Sequence, residues 1–271
     1  MPFSARQGFF HQADTGPALW TPAEITTLVW LDAFDGSELT LDGTDVSTWN
    51  NKSGGLDFTQ GTSSLRPTYD STNKCVTFDG STEYMDVATK FVSVPNPDYL
   101  CVMLTNYLSL NTDSDRLFQL ENGVSQECIS IGHGGSGRGW NWRHNNGFSA
   151  HNSGATTGLY MTSWQRSAGE PYADDRTWEN GTSLSRTSSS GDSINSRYPS
   201  ITVNYTSLGR GQGGGSPGTL FYSNARVHEL VFAEIDSTDT RQKLEGYMAW
   251  RWGEEDNLPV DHPYKSAAPT I

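Results

Sequence analysis

The end of the chain, LEGYMAWRWGEEDNLPVDHPYKSAAPTI at residues 244–271, combines a helical pattern with a proline-containing tail. Apolar residues recur there every three or four positions, which places them on one face of a helix. The residues that share this face are Leu244, Tyr247, Met248 and Trp252. Gly253 follows directly, and glycine is the usual residue where a helix ends. The pattern therefore predicts an amphipathic helix over about 237–252, with Asp236 and Ser237 as candidate caps at its start.

Three prolines, Pro259, Pro263 and Pro269, follow this helix. Proline lacks a backbone N–H and disfavours helical backbone in the residue before it, so these positions cannot continue the helix. We therefore expect residues 253–271 to form an extended tail along the surface of the domain.

Upstream of the helix, short β-rich segments alternate with turn residues. Examples are TLVWLDA at 27–33, SITVNYTSLGR at 200–210 and ARVHELVFAEI at 225–235. Alternation of apolar and polar residues is typical of strands that are buried on one face, and clusters of Gly, Ser and Asn separate them. The chain is predicted to be all-β: a two-sheet sandwich over residues 21–271, with one C-terminal helix.

Several short motifs in the first third of the chain carry a family resemblance. They are Trp30-Leu31-Asp32, Val46-x-x-Trp49-Asn50-x-Lys52-Ser53-Gly54, Arg66-Pro67-x-Tyr69 and Val76-x-Phe78-Asp79-Gly80. Together with the C-terminal segment they resemble the concanavalin A-like, or laminin G-like, domain of virion structural proteins from tailed bacteriophages. The resemblance implies a jelly-roll sandwich and a place on the outer surface of a virion, assembled in the host cytoplasm.

The first twenty residues, MPFSARQGFFHQADTGPALW, differ in composition from the segments that follow. They show no strand or helix period, and a Gly-Pro step separates them from the rest. We interpret residues 1–20 as an attachment arm. Its aromatic residues are the candidate contacts with a partner: Phe3, Phe9, Phe10 and Trp20.

The charge balance argues against two classes of partner. The chain has 18 basic and 31 acidic residues, a net charge of −13. This excess of negative charge opposes binding to nucleic acid or to anionic lipid. No apolar run approaches the roughly 20 residues that a membrane-spanning helix needs. We therefore expect neither nucleic acid nor a membrane as partner, and no motif calls for a cofactor.

The segment GWNWRHNNGFSAHN at 139–152 is the candidate glycan-binding surface. Aromatic rings can stack on the C–H faces of sugars, while amide and charged groups form hydrogen bonds with the sugar hydroxyls. The candidate contacts are Trp140, Trp142, Arg143, His144, Asn145 and Phe148. The alternative is that these aromatic residues pack in the core or between subunits, since two tryptophans two positions apart share one face of a strand.

Two groups of acidic residues suggest further chemistry. Glu234, Asp236 and Asp239 resemble the E-x-D-x-x-E pattern of laminarinase-type glycosidases, in which carboxylates serve as nucleophile and acid/base. The alternative is that the two aspartates belong to the start of the helix, and we favour it. Asp32 and Asp35 are candidate calcium ligands, against the alternative that they are turn residues beside glycine.

These observations together predict a non-enzymatic structural protein of a tailed phage, most simply a capsid decoration or head-fibre protein held by its arm. Homo-oligomers, trimers among them, suit such a role, with phage capsid or tail proteins as partners. An alternative is a tail-fibre or baseplate module that recognises host glycans. A more remote alternative is a laminarinase-like glycoside hydrolase, which would require paired carboxylates in an open groove.

Overall fold

The computed structural model describes twelve stretches of the chain. They are residues 17–87, 93–94, 98–109, 115–121, 128–133, 140–144, 147–151, 157–167, 176–190, 201–202, 205–212 and 220–271. The side chains of 93–94, 121, 128–130, 141–144, 147–150, 187–190, 201–202 and 212 are outside this description.

The described residues form 22 strands, one α-helix and four 3-10 turns. The strands are β1 Val29–Asp32, β2 Leu39–Asp42, β3 Asp45–Trp49, β4 Phe58–Thr59, β5 Thr68–Asp70, β6 Cys75–Asp79, β7 Met85–Val87, β8 Ser93–Val94, β9 Tyr99–Tyr107, β10 Phe118–Glu121, β11 Cys128–His133, β12 Trp140–His144, β13 Gly147–His151, β14 Gly158–Arg166, β15 Arg176–Glu179, β16 Thr182–Ser183, β17 Arg186–Ser190, β18 Ile201–Thr202, β19 Tyr205–Leu208, β20 Arg210–Gln212, β21 Leu220–Tyr222 and β22 Asn224–Ala233. The helix is α1 Thr238–Trp252, and the 3-10 turns are Pro22–Glu24, Gly36–Glu38, Ser63–Leu65 and Glu255–Asn257.

The strands pair antiparallel and form two layers. The back sheet has the order β16–β15–β14–β9–β22, with β1 and β6 sharing the far side of β22. The front sheet has the order β2–β3–β4–β7–β19–β10–β11–β12–β13–β17. Strand β5 pairs with both β6 and β3, so it links the two sheets. The predicted all-β sandwich with a single helix is confirmed.

The sandwich core lies between the two sheets. Alternate residues of β9, among them Cys101, Met103 and Tyr107, are buried there and meet Phe118 and Leu208 of the front sheet. The intervening residues of β9 point to the opposite face, since side chains alternate along a strand. A strand that is buried on both faces, as β9 is, reads as a continuous apolar run and not as an alternating one.

Helix α1 covers the outer face of the back sheet. Leu244 and Met248 of the helix pack against Leu100 and Val102 of β9 in a second apolar cluster, and this confirms the predicted amphipathic face. The Ser237 hydroxyl accepts a hydrogen bond from the backbone N–H of Thr240 at the start of the helix.

Two glycines shape this helix. Gly253 ends it in a left-handed conformation with φ of 73°. A Cβ at Gly246 would lie 2.6 Å from the Cβ of Tyr264, so the tail packs directly on the helix backbone. The close approach gives the reason for a glycine inside a helix, where it costs about 1 kcal/mol relative to alanine. Within the described residues, no helix is both long and apolar enough to span a membrane.

The two ends of the described chain meet. The backbone N–H of Trp20 donates to Pro269, and that of Ile271 donates to Ala18. Trp20 is 6% exposed and packs in the same apolar cluster as Leu244 and Met248 of α1, which leaves it no open face for the predicted contact with a partner. The other predicted arm contacts, Phe3, Phe9 and Phe10, lie outside the described residues. The expectation of an extended tail is wrong at Glu255–Asn257, where the chain makes a 3-10 turn.

Candidate functional site

Trp140, the first residue of the predicted glycan surface, lies in the sandwich core. Its side chain is 1% exposed, its ring contacts Tyr107 and Trp164, and its indole N–H donates to Glu179 at 2.6 Å. The packing alternative therefore applies to Trp140, because a ring enclosed on all sides cannot stack on a sugar. The side chains of Trp142, Arg143, His144 and Phe148, and the whole of Asn145, lie outside the described residues.

The outer face of the front sheet carries a row of polar residues on four neighbouring strands. In register across β10, β19, β7 and β4, they are Gln119, Ser207, Asp86 and Thr59. The adjacent row of paired residues, which includes Phe118, Leu208 and Met85, is buried in the sandwich core. Because side chains alternate along a strand, the polar row lies on the opposite, outer face.

The same backbone row continues towards the other edge of the sheet. Gln119 pairs with Ser130, Ser130 with Arg143, and Arg143 with Phe148. The strand pairing thus puts the backbone of two residues of the predicted glycan surface in the same row as Asp86.

Asp86, which lies next to the exposed Thr59 in this row, forms an ion pair with Arg210. The Arg210 guanidinium donates to the Asp86 carboxylate at 2.6 Å, and the two side chains are 21% and 25% exposed. The Arg210 guanidinium carbon lies 3.3 Å from the centre of the Tyr84 ring. Tyr205, two positions before Ser207 on β19, is 46% exposed. We refer to Tyr84, Asp86, Tyr205 and Arg210 as the front-face patch.

The electrostatics of the front-face patch centre on Asp86. Burial raises the pKa of this carboxyl, while the nearby charge of Arg210 acts in the opposite direction. The Asp86 Oδ1 atom is closed off from solvent, so Oδ2, which accepts from Arg210, is the acceptor that the pair can offer beside the guanidinium donor. Such a pair can exchange hydrogen bonds with the hydroxyl groups of a ligand.

The hairpin formed by β20 and β21 covers the member of this row on β10, Gln119. A Cβ on Gly211 would lie 1.9 Å from the Oε1 atom of Gln119, so the hairpin backbone rests directly on that side chain. Arg116 is also covered there, with its guanidinium 4.9 Å from the Phe221 ring centre. Among the described side chains of this region, those of the front-face patch and Thr59 keep part of their surface accessible.

A second polar cluster lies where β22 leads into the helix. Asp236 accepts hydrogen bonds from Gln165, Ser167 and, at 2.7 Å, from Arg176. It therefore does not cap the helix as we expected, and Ser237 alone takes that role. Asp239 lies in the first turn, as predicted, and pairs with Lys243 at 2.9 Å.

Glu234 and Asp236, which we call the Glu234–Asp236 pair, are both accessible at the surface. Burial raises the pKa of Glu234. Burial also favours a higher pKa for Asp236, but the hydrogen bonds from Ser167 and Arg176 outweigh it and lower that pKa. Environments that push the pKa values of two carboxyls apart are typical of an acid and its ionised partner.

The two calcium candidates have other partners. Asp32 is fully buried, and its carboxylate accepts from Lys52 at 3.0 Å and from Arg251 at 2.6 Å. Asp35 caps a 3-10 turn by accepting from the backbone N–H of Ser37. Asp32 is therefore not free to bind calcium, because two cations already neutralise it, and Asp35 has the turn role that the alternative gave it. In the described stretches, no group of three or more His, Cys, Asp or Glu side chains is placed to hold a metal ion.

Asp32 belongs to a buried network between the back sheet and α1. Glu229 lies opposite Asp32 in the strand pairing and accepts from the indole N–H groups of Trp30 and Trp252, at 2.9 and 2.7 Å. Burial and the charge of Asp32 raise the pKa of Glu229. We call Asp32, Lys52, Glu229, Arg251 and Trp252 the helix-side network. Both of its carboxylates are closed off from solvent, so it holds the fold and does not meet a substrate.

No family model and no curated protein matches the chain. Among solved structures, it is similar to a Trypanosoma rangeli sialidase in complex with 2-keto-3-deoxy-D-glycero-D-galacto-2,3-difluoro-nononic acid, with a TM-score of 0.55, 12% identity, and coverage of 84% of this chain and 35% of the sialidase. The same enzyme in complex with sialic acid gives a TM-score of 0.53, 12% identity, and coverage of 84% and 35%. An arabinofuranosidase complexed with arabinofuranosyl-α-1,2-xylobiose gives 0.52, 15% identity, and coverage of 81% and 58%.

These similarities change the functional interpretation. The prediction of a non-enzymatic virion structural protein is wrong, because the matching structures are glycosidases. At this identity the likeness shows the fold alone. The chain spans about a third of the length of the sialidases and somewhat over half that of the arabinofuranosidase. The predicted partners, oligomeric state and location stay predictions.

Proposed function

We propose that this chain is a carbohydrate-binding β-sandwich that takes its ligand on the front-face patch. The observation that carries the proposal is the Asp86–Arg210 ion pair stacked on the Tyr84 ring at the open end of a polar row. Sugars are bound by flat aromatic faces together with groups that both donate and accept hydrogen bonds. The front-face patch offers both in one place.

The similar structures support a carbohydrate as the ligand class. The sialidases are described in complex with sialic acid and related compounds, and the arabinofuranosidase with a trisaccharide built on xylobiose. The chain matches only part of each enzyme, so their activities are not transferred whole. The shared fold favours a protein that acts on or binds carbohydrate.

Exposed Tyr205 offers a direct test of glycan binding. The unchanged chain and Tyr205→Ala are titrated by calorimetry with arabinoxylan, xylan and sialylated oligosaccharides. We expect binding by the unchanged chain and about a tenfold loss in Tyr205→Ala, which corresponds to about 1.4 kcal/mol.

Leu41→Ala is the matched control for this titration, because Leu41 is also a strand residue with a similar exposure, 41%. It should leave affinity unchanged. Absence of binding to every glycan tested would contradict the proposal.

A second candidate function is glycoside hydrolysis at the Glu234–Asp236 pair. The specific observation is that the two surface carboxyls lie two residues apart with pKa values that move in opposite directions. Glu234, with the raised pKa, would serve as general acid, and ionised Asp236 would stabilise positive charge on the sugar or attack it.

Hydrolysis is tested by the release of reducing ends from the same oligosaccharides. We expect release by the unchanged chain and its loss in Glu234→Gln. Glu24→Gln, at an exposed position distant from Glu234 in the sequence, serves as the control and should keep the activity. If the unchanged chain releases nothing, hydrolysis is excluded for these glycans, while the binding proposal is tested separately by calorimetry.

A further inference from the structure

We infer that the front-face patch selects neutral sugars through adjacent hydroxyl groups and rejects sugars that carry a carboxylate. The inference rests on the proposed carbohydrate binding and names the class of ligand. It starts from the partners of Arg210, the cation that an acidic sugar would have to reach.

The positive charge of Arg210 is already matched. Its guanidinium lies 2.6 Å from the Asp86 carboxylate, and only about a fifth of its side chain is exposed. A ligand carboxylate that reaches Arg210 would also come close to the Asp86 carboxylate, 2.6 Å from the guanidinium, so repulsion offsets part of the attraction. A hydroxyl group carries no such penalty, because it can accept from the cation or donate to the anion.

The geometry also keeps Arg210 in place. The guanidinium carbon lies 3.3 Å from the centre of the Tyr84 ring, so the cation is stacked on an aromatic face as well as paired. Turning Arg210 towards a ligand anion would break both contacts. The rigid pair instead presents one donor and one acceptor next to each other, which suits two adjacent hydroxyls of a pyranose or furanose.

The neighbouring groups reinforce this selection. Thr59, which is exposed, supplies a hydroxyl in the same row as Asp86. Arg116, a further cation among the described side chains of this face, is covered by the hairpin and cannot reach a ligand at the surface. The net charge of −13 adds repulsion at longer range, which lowers the rate at which anionic ligands arrive.

The test compares neutral and acidic oligosaccharides of equal length on the unchanged chain and on Asp86→Asn. A xylo-oligosaccharide and an arabinoxylo-oligosaccharide are the neutral probes; a sialylated oligosaccharide and an oligogalacturonate are the acidic probes. We expect the unchanged chain to bind a neutral probe at least tenfold more tightly than the acidic ones. Asp86→Asn should weaken neutral binding about tenfold and strengthen acidic binding, because it releases the charge of Arg210.

Asp256→Asn is the control, since it removes the same charge at an exposed position of the 3-10 turn that follows α1, away from the front sheet. It should change neither affinity. Tighter binding of an acidic probe by the unchanged chain, or equal weakening of both classes in Asp86→Asn, would overturn the inference but keep the proposed carbohydrate binding. Failure of every probe to bind would overturn both.

Discussion

The helix-side network and the front-face patch each contain an aspartate–arginine pair at 2.6 Å, yet their surroundings differ. Asp32 is 0% exposed and its partner Arg251 is 15% exposed, whereas Asp86 and Arg210 are 25% and 21% exposed. Around Asp32, a lysine, a second carboxylate and two indole donors complete the network. Around Asp86, the surroundings are the Tyr84 ring, on which Arg210 stacks, and the exposed Thr59 in the neighbouring strand. The comparison teaches that the environment of an ion pair, and not its length, indicates whether it holds the fold or faces a ligand.

The largest effect is expected when the buried pair is broken. Arg251→Met leaves Asp32 and Glu229 buried without their main cation, and removing one partner of a buried pair costs about 3–5 kcal/mol. Urea denaturation measures the free energy of unfolding. Arg210→Met removes the equivalent partner of the more exposed pair and should cost less, about 1–2 kcal/mol, because Asp86 keeps part of its hydration. Equal losses in the two variants would break the distinction between the two regions.

The stability of the helix-side network should also depend on pH through Glu229. Glu229 has a pKa raised from 4.5 to about 7, so the folded state holds a proton there that the unfolded state has released. Its contribution to stability is therefore complete below pH 4.5 and is lost as pH rises through 7.

The effect is measured as the difference in unfolding free energy between the unchanged chain and Glu229→Gln, from pH 4.5 to pH 8. We expect the unchanged chain to lose about 3 kcal/mol relative to the variant over this range, since one unit of pKa is worth about 1.4 kcal/mol. A difference that stays constant with pH would contradict this, because it would show that Glu229 is ionised over the whole range and paired with the Arg251 cation.

The third prediction sharpens the comparison by testing how tightly the helix side is packed. Gly246→Ala adds a methyl group where Tyr264 already lies within contact distance. Overpacking of this kind costs about 1–3 kcal/mol and outweighs the better helix propensity of alanine. Thermal unfolding compares it with Gln242→Ala, a partly exposed helix position where alanine should be tolerated. An equally stable Gly246→Ala would mean that the tail can move away.

The smallest effect on stability is expected at the front-face patch. Asp86→Asn should lower the free energy of unfolding by about 1 kcal/mol or less, because a partly exposed pair contributes little. The same variant should change glycan affinity about tenfold. A large loss of stability without a change in binding would show that Asp86 stabilises the fold, as Asp32 does, and does not contact a ligand.

The helix was predictable from the sequence because its determinants are local. The spacing of Leu244, Tyr247 and Met248, the cap at Ser237 and the stop at Gly253 all lie within one short segment, and the structure confirms each. The all-β class was predictable for the same reason, since alternation and turn residues act over a few positions.

The site was not predictable because it depends on strand register. Asp86 and Arg210 are 124 positions apart in the sequence, and only the pairing of β7 with β19 brings them together. Trp140 shows the converse problem: alternation told us that it shares a face with Trp142 but not which face is inside. Asp236 looked like a cap because its partners on β14 and β15 are distant in sequence.

The most direct test of the central claim is an amide chemical-shift titration of the isotopically labelled chain with a neutral xylo-oligosaccharide. We expect shifts that grow with ligand concentration at Tyr84, Asp86, Tyr205 and Arg210, and none at Glu229 or Arg251. Shifts centred on the helix-side network, or none at the front-face patch while the ligand binds elsewhere, would contradict the account.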